Sequence, residues 1–317
     1  MTDEMHRPDR RELLQILAMG AGGLLATAPL PGLAASQGTG PMRVSGRIGR
    51  GADAIDFADP RQKLDAFIKV EGDQSGAEHF LYGYGTITAY IDGMPDRRLF
   101  DTELYAVRRY RRIDGGWLRL HREAGIYRDP QTRAILKKWR NPWLERDIEP
   151  INILQEFSRR YRVADLGRAF NIGVSVKDDD VFMQRSFFVV RPSEFNPRDY
   201  PVHGQDYFYG LSEYVNFFAK SSDIANPKLS SAPAVGVTNS VTGWFPWLEM
   251  GTAPGVLVHQ TRFKKVPSLA DIPADFVAAV RAQDPKFLTA PTEFAEPDLA
   301  TSGERYYKAV IDRRLGR

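Results

Sequence analysis

The segment Trp117–Tyr127 carries the residues whose types and spacing best suit proton-transfer chemistry. Side chains on a strand alternate between two faces, so Arg119, His121 and Glu123 share one face. A histidine has a pKa near neutrality, and a neighbouring carboxylate suits it to general acid–base catalysis. The spacing predicts that His121 and Glu123 form the proton-transfer pair. Arg119, or Tyr105 on the preceding strand, would stabilise developing negative charge.

Two interpretations of this charged face stay open at the level of sequence. It is either a solvated outer face with cross-strand ion pairs, or the polar lumen of a barrel. Only the second would place the histidine and the carboxylate beside a ligand.

A second group of candidates consists of aromatic and loop residues that would border a ligand pocket. Pro246 must lie at a strand edge or in a turn, so Trp244 and Trp247 beside it form either a pocket mouth or part of the core. His203 follows a turn-rich stretch, where functional side chains are common. The predicted ligand-binding residues are Trp139, His203, Tyr207, Trp244, Trp247 and Glu249.

Several kinds of site are excluded or disfavoured. The chain has no cysteine, which excludes disulfides, thiolate catalysis and cysteine-ligated metals. It has no nucleophile elbow, zinc helix or Walker loop, and the glycines of residues 46–51 are in the wrong order for a dinucleotide site. The histidines of the mature chain show no ligand spacing. We therefore predict no metal and no organic cofactor.

The elements that must position these residues are strands. Eight runs have strand-like composition and are mostly separated by Gly, Pro and Asp turns. They are Phe80–Ile91, Arg98–Ile113, Trp117–Tyr127, Ala134–Arg140, Val181–Val190, Tyr207–Phe218, Val235–Trp247 and Val256–Val266. The pattern predicts a mainly β protein in which an antiparallel meander of about eight strands closes a calycin- or lipocalin-like barrel. A two-sheet β-sandwich is the alternative.

The C-terminal part changes to helical periodicity. Short helices are predicted over Phe276–Arg281 and from a capping-box pattern at Thr301–Glu304 to Arg314. The formal net charge of +3 is small. The runs Arg108–Arg112 and Arg159–Arg162 are typical of solvated faces. Nucleic-acid binding is not predicted, and an anionic ligand is the minor alternative for these runs.

The N-terminus resembles a twin-arginine export signal. Arg10 and Arg11 precede a Gly- and Ala-rich apolar run, Ile16–Leu33, and small residues follow it. An amphipathic helix or an anchor is the alternative. The pattern predicts a signal peptide over 1–35, a linker over 36–55 and one β-rich domain over 56–317 with a C-terminal helical segment. It also predicts passage through the twin-arginine machinery, a periplasmic location and no membrane span in the mature chain.

Aromatic and Gly/Pro motifs give the chain a family resemblance. The twin-arginine leader, the Tyr-rich first strands and the segments Trp139–Trp143, Gly243–Gly251 and Asp284–Lys286 resemble the exported domain-of-unknown-function 1838 family. The resemblance implies no activity and no catalytic residues. The barrel is inferred from the meander alone.

These observations lead to one functional expectation and two alternatives. The chain is expected to be an exported enzyme without an organic cofactor, an isomerase, lyase or hydratase acting on a mostly apolar or aromatic small molecule. A lipocalin-like periplasmic carrier that does not turn its ligand over is the alternative, and a metal-dependent hydrolase ranks third.

Overall fold

A computed structural model describes residues 46–49, 51, 54–294 and 302–317, and in 187–190, 208–214 and 302 it describes only the backbone. The strands are β1 (Arg47–Ile48), β2 (Ile55–Asp56), β3 (His79–Tyr90), β4 (Arg97–Ile113), β5 (Gly116–Arg128), β6 (Trp139–Asn141), β7 (Arg146–Ile148), β8 (Ile153–Arg162), β9 (Asn171–Lys177), β10 (Asp180–Pro192), β11 (Tyr207–Lys220), β12 (Ala234–Thr242) and β13 (Val256–Val266). The helices are α1 (Pro60–Glu71), α2 (Ser221–Ala225), α3 (Ala274–Gln283) and α4 (Ser302–Arg314). Across these described ranges, no helix has the length and apolarity that crossing a membrane requires.

Nine of the strands form one antiparallel sheet, which confirms the mainly β prediction. Their order is β8-β5-β4-β3-β13-β12-β11-β10-β9, and every neighbouring pair is antiparallel. The pairs β1–β2 and β6–β7 form two small separate sheets. The long strands therefore share a single sheet and do not form the two packed sheets of a sandwich.

The sheet curls into a half-barrel, as contacts between distant strands show. Arg119 on β5 and Arg185 on β10 are six strands apart in the sheet order. A flat sheet would separate them by roughly 29 Å at the usual strand spacing. Yet their guanidiniums lie 3.0 and 3.9 Å from the same carboxylate oxygen of Glu71. The face that carries these residues is concave, and we call it the lumen.

Helix α1 packs against the lumen face between the two ends of the sheet. Asp59 caps it by accepting a hydrogen bond from a first-turn backbone N–H at 2.8 Å, and Pro60 occupies the first helical position. Phe67 contacts Tyr161 on β8 and Phe217 on β11, with ring centroids 6.1 and 6.0 Å apart. The helix thus joins the two halves of the curled sheet, whose edge strands β8 and β9 do not pair with each other in the described structure.

The sequence did not predict α1, β8 or β9, and the run Ala134–Arg140 is not a strand of the main sheet. Arg133 has a positive φ of 64°, and an isolated bridge between Arg128 and Ile135 folds the chain back onto the end of β5. Only Trp139–Asn141 of this region is extended, as β6. The strand predicted to end at Trp247 ends at Thr242, because a 3₁₀ turn follows over Pro246–Leu248.

The C-terminal segments cover the outside of the half-barrel. The helix α3 and the 3₁₀ turn Pro285–Leu288 pack on the outer face of β4 and β5 through Phe276 and Leu288. Both predicted C-terminal helices are present. Within the predicted linker, β1 pairs with β2 and Ile48 is buried in the core. The predicted signal peptide over 1–35 lies outside the described residues.

Candidate functional site

The strand register decides which residues face the lumen. Arg108 on β4 pairs directly with His121 on β5, and Ala106 pairs with Glu123. Residues that pair in register point to the same side of a sheet. His121 and Glu123 therefore share the lumen face with Arg119, and His121 is fully buried. Of the two interpretations left open by the sequence, the structure places these residues in the lumen.

The same register turns the Tyr105 side chain away from Glu123, although the residue itself borders the cavity between β4 and its neighbours. It lies on the outer face with a 1% exposed side chain, and its hydroxyl donates to the Leu288 carbonyl at 3.1 Å. A shift of one residue along a strand reverses the face. The odd-numbered residues of β4 pair with even-numbered residues of β5, so they lie on the opposite face of the sheet from His121 and Glu123. The expectation that Tyr105 stabilises charge beside Glu123 is corrected: its role is to pack against the C-terminal cover.

A buried carboxylate organises the arginines of the lumen. Oε1 of Glu71, at the end of α1, accepts hydrogen bonds from Arg119 at 3.0 Å and Arg108 at 3.3 Å. Arg185 lies 3.9 Å from the same oxygen. Oε2 accepts the Tyr110 hydroxyl at 2.5 Å. Burial raises the pKa of Glu71, but the three guanidiniums and the tyrosine outweigh it and bring the pKa down to about 2. Glu71 is therefore ionised at neutral pH.

Arg108, His121 and Glu123 lie next to one another in the lumen, with a hydrogen bond between the first two. Arg108 Nε donates to His121 Nδ1 at 2.8 Å, so Nδ1 accepts and the proton of the neutral ring is on Nε2. Nε2 lies 3.4 Å from Glu123 Oε2. Burial, with the neighbouring guanidiniums, lowers the pKa of His121 well below 6.5. The imidazole is therefore neutral at physiological pH, and it lies beside Glu123 without a hydrogen bond between them.

Glu123 is the ionisable group of the predicted pair that reaches open space. Its Oε1 accepts a hydrogen bond from Gln155 on β8 at 2.8 Å, and its side chain keeps 23% exposure. Gln155 fixes one carboxylate oxygen by a hydrogen bond, and the His121 ring lies beside the other. A defined orientation of this kind is what general-base catalysis requires. Of the predicted pair, Glu123 is therefore the residue whose side chain is accessible from the cavity.

Glu123 lines a cavity of about 90 Å³ within the lumen. A buried water needs about 10–15 Å³ by this measure, so the space holds roughly six to nine water-sized groups. Phe263 forms one wall because Gly236 on the next strand leaves room for its ring: a Cβ there would lie 2.1 Å from it. Polar lining is supplied by Arg108, Glu123, Arg185, Thr238 and Thr261.

The two tryptophans expected at a pocket mouth lie in the packed core. Trp247 is 1% exposed, and its ring centroid lies 5.1 Å from that of Tyr127 and 5.5 Å from that of Phe100. The Trp244 indole donates to the Ala253 carbonyl at 2.9 Å. These aromatic rings fill the end of the half-barrel away from α1, which is the core interpretation of this segment.

The other predicted ligand-binding residues lie around the same aromatic end. His203 Nδ1 donates to the Pro246 carbonyl at 2.9 Å, and Glu249 pairs with Arg146. Trp139 packs edge-on against the aromatic core, whereas Tyr207 is exposed at the start of β11. Among the described side chains, these are not the ones that line the cavity beside Glu123.

Of the remaining histidines, His79 is buried and His259 is half-buried, and the two lie at opposite ends of the paired strands β3 and β13. Burial lowers the pKa of His259 to about 4, and its ring meets Phe245 edge-on with centroids 5.0 Å apart. His79 stacks on Tyr110 at 5.6 Å. Throughout the part of the chain that the structure describes, no three His, Asp or Glu residues are grouped as a metal site would need.

Three site residues were not singled out as such from the sequence: Glu71, Arg108 and Arg185. Arg108 belongs to an arginine-rich run that was interpreted as a solvated face. Because side chains alternate along a strand, Arg108 and Tyr110 of that run lie on the same face. This alternation could have indicated that both point into the lumen. Asp59 and Pro60 are a helix-start signature that would have found α1.

Comparison with known proteins gives one match. The family model described as "Protein of unknown function (DUF1838)" covers residues 76–311. This range contains all nine strands of the main sheet, together with Arg108, His121, Glu123 and Arg185. Helix α1 with Glu71 precedes it. The family resemblance stated from the sequence is confirmed over these residues, and the twin-arginine leader lies outside the match. No curated protein matches the chain significantly.

Proposed function

We propose a function for this chain, which belongs to the DUF1838 family of proteins of unknown function, from the geometry of its lumen. The protein is a small-molecule enzyme of the acid–base type, without an organic cofactor. Glu123 is its general base, and the cavity beside Glu123 is its substrate site. This keeps the reaction classes expected from the sequence: isomerisation, elimination and hydration.

One observation carries the proposal: the Glu123 carboxylate and the Arg108 guanidinium line the same cavity, and both lie next to the His121 ring. The carboxylate can take a proton from a carbon next to a carbonyl group, and a guanidinium can stabilise the oxyanion that develops. The proton then returns to a different atom of the ligand, or leaves with a hydroxyl group as water. Both outcomes balance without an oxidant or a reductant.

His121 is a positioning residue in this proposal. Because Arg108 donates to Nδ1, the ring keeps its proton on Nε2, the nitrogen that lies 3.4 Å from Glu123 Oε2. Stacking on Phe157, with centroids 4.2 Å apart, fixes the plane of the ring. A neutral imidazole in this place orients the carboxylate without neutralising it.

A carrier without turnover is the second candidate, and the wall of the cavity favours it. Leu81, Val215 and Phe263 contribute apolar surface, and a buried guanidinium beside them can hold a ligand with no chemistry following. In that case Glu123 contributes to affinity alone. The two candidates differ in whether the ligand is recovered unchanged.

Glu123→Gln should abolish most proton exchange while the protein stays folded. Removing a general base typically slows a reaction by about 10²–10⁴-fold. The assay incubates the purified chain in D₂O with small carbonyl compounds of up to about nine non-hydrogen atoms, a size set by the cavity. Neutral ketones and carboxylic acids are both included. Deuterium entering carbon-bound positions is measured by NMR.

Glu156→Gln is the matched control, because Glu156 lies on β8 with 26% side-chain exposure but pairs with Arg122 on the outer face. This variant should exchange protons at the wild-type rate. Equal rates for Glu123→Gln and wild type would place the base elsewhere. A wild-type protein that binds a compound of the panel and returns it without deuterium would be a carrier.

Export through the twin-arginine machinery to the periplasm is also a proposal, supported by the leader sequence alone. Changing Arg10 and Arg11 together to lysine should leave full-length protein in the cytoplasm, since the signal is read through the paired arginines. Fractionation and intact-mass measurement detect the block, and wild type should give a mature N-terminus near Ser36. Arg7→Lys, outside the pair, is the control and should export normally. Periplasmic delivery of the double variant would contradict the assignment.

A further inference from the structure

We propose that the cavity beside Glu123 binds its ligand through a carboxylate group held by Arg108, so that the substrate class is a short organic acid. This inference rests on the proposed function, because it concerns the same site. It refines the ligand expected from the sequence by adding an anionic head to an apolar body. Four features of the lumen lead to it.

The first feature is that Glu71 cannot satisfy the guanidiniums around it. Arg108 and Arg119 share one oxygen, Oε1, and the other oxygen is occupied by the Tyr110 hydroxyl. Neither arginine therefore has the two-oxygen pairing that planar guanidiniums form with carboxylates. The Arg119 side chain is 2% exposed and the Arg108 side chain is 10% exposed. Buried charges are costly unless they are closely paired, so a second carboxylate here would be stabilised.

The second feature is that Arg108 has a donor left over. Its Nη1 donates to Glu71 and its Nε donates to the neutral His121 ring. Its Nη2 has no hydrogen-bond partner among the residues described, and the side chain lines the cavity. Arg108 thus donates one of its two hydrogen bonds to a neutral ring and the other to the carboxylate of Glu71. Its positive charge, which borders the cavity, is therefore only partly compensated.

The third feature is that the nearby histidines do not change this balance. Burial is the largest cause that lowers the pKa of His79, to about 3, and that of His121 well below 6.5. Both rings are neutral at pH 7, so they neither compete for an anion nor compensate a cation. Glu123, the other described carboxylate at the cavity, is directed at His121 and Gln155.

The fourth feature is the size and polarity of the cavity. Thr238 and Thr261 offer hydroxyls beside Arg185, and Leu81 and Phe263 offer apolar walls. Space for roughly six to nine non-hydrogen atoms fits a carboxylate with a short chain or one ring. A carboxylate held at Arg108 would direct its neighbouring carbon across the cavity. A singly charged head suits a site that also contains Glu123 better than a phosphate dianion does.

The experiment measures binding of matched probes to the purified chain by isothermal titration calorimetry. Butyrate and benzoate are compared with butyramide and benzamide, which have the same shape but no charge, and with inorganic phosphate. We expect each acid to bind about tenfold or more tightly than its amide, as loss of a charge-assisted hydrogen bond implies. Phosphate should bind more weakly than both acids.

Arg108→Lys tests the assigned residue, since lysine keeps the charge but loses the planar fork. It should weaken acid binding by about tenfold or more and leave amide binding unchanged. Arg159→Lys is the matched control: Arg159 is on the lumen face of β8, paired with Arg119, but is not among the residues that line the cavity. Its affinities should stay within about twofold of wild type. The wild-type comparison of acids with amides needs no variant, so a poorly folded Arg108→Lys leaves the test intact.

Several results would overturn the inference. Amides that bind as tightly as acids, acids that do not bind at all, tighter binding of phosphate, or wild-type acid affinity in Arg108→Lys would each contradict it. The proposed enzyme fails separately. Acids that bind without deuterium exchange would support the carboxylate site and contradict the enzyme. Deuterium exchange in neutral ketones alone would support the enzyme and contradict the carboxylate site.

Discussion

Replacing Glu71 by glutamine should lower the free energy of unfolding by about 3–5 kcal/mol, which is the usual cost of breaking a buried ion pair from one side. The change keeps the shape of the side chain but removes the negative charge that faces Arg108 and Arg119. Domains of this kind have about 5–15 kcal/mol of stability in total, so the variant should fold and unfold at much lower urea. The midpoint and slope of urea denaturation measure the loss.

A surface glutamate supplies the control. Glu149 is 70% exposed and pairs with Arg314, so Glu149→Gln should change stability by no more than about 0.5 kcal/mol. If the free energy of unfolding of Glu71→Gln were within about 1 kcal/mol of the wild-type value, other groups would have to compensate the charge of the guanidiniums. The reason given above for an anionic ligand would then be lost.

The pH dependence gives a second measurement of the same prediction. The pKa of Glu71 in the folded protein is about 2, below its ordinary value of 4.5. A lowered pKa means that the folded state binds this proton less readily than the unfolded state, so the stabilisation is nearly complete above about pH 5. It is lost as the pH falls from about 5 towards 2, and Glu71→Gln should remove this part of the acid denaturation curve.

The fold was predictable where turns and alternation agree. The hairpin of β4 and β5 has clear Asp-Gly turns and β-branched or aromatic faces, and its strands were found within about two residues. β8 was missed because Gln155 and Arg159 point into a polar lumen, so its inward face does not look apolar. The curl of the sheet depends on contacts between strands far apart in the sequence, which no local pattern encodes.

The site was predictable only in its local part. His121 and Glu123 are two residues apart on one strand, so alternation alone puts them on one face. Whether Tyr105 lies on the same face depends on the register between β4 and β5, because a shift of one residue would move it to the other face. Glu71 comes from helix α1, before β3 in the chain, and Arg185 comes from strand β10, well after β5. The arginines are therefore brought together only by the fold. The sequence contains each of them but does not indicate that they lie close to one another.

Trp247→Ala should cost about 3–5 kcal/mol of stability, the range for removing a large buried aromatic side chain. Trp247 is 1% exposed and packs on Tyr127 and Phe100, so truncation leaves a cavity that these rings cannot fill. Trp143→Ala, at a half-buried tryptophan that meets Trp244 edge-on, should cost clearly less. Urea denaturation of both variants decides the matter.

Near-wild-type stability of Trp247→Ala would mean that this indole borders open space, and the pocket-mouth interpretation of the Trp244–Trp247 segment would be right after all. A large loss with unchanged carboxylate binding would instead separate the two ends of the half-barrel by role: an aromatic end that holds the sheet together, and a charged end that holds the ligand.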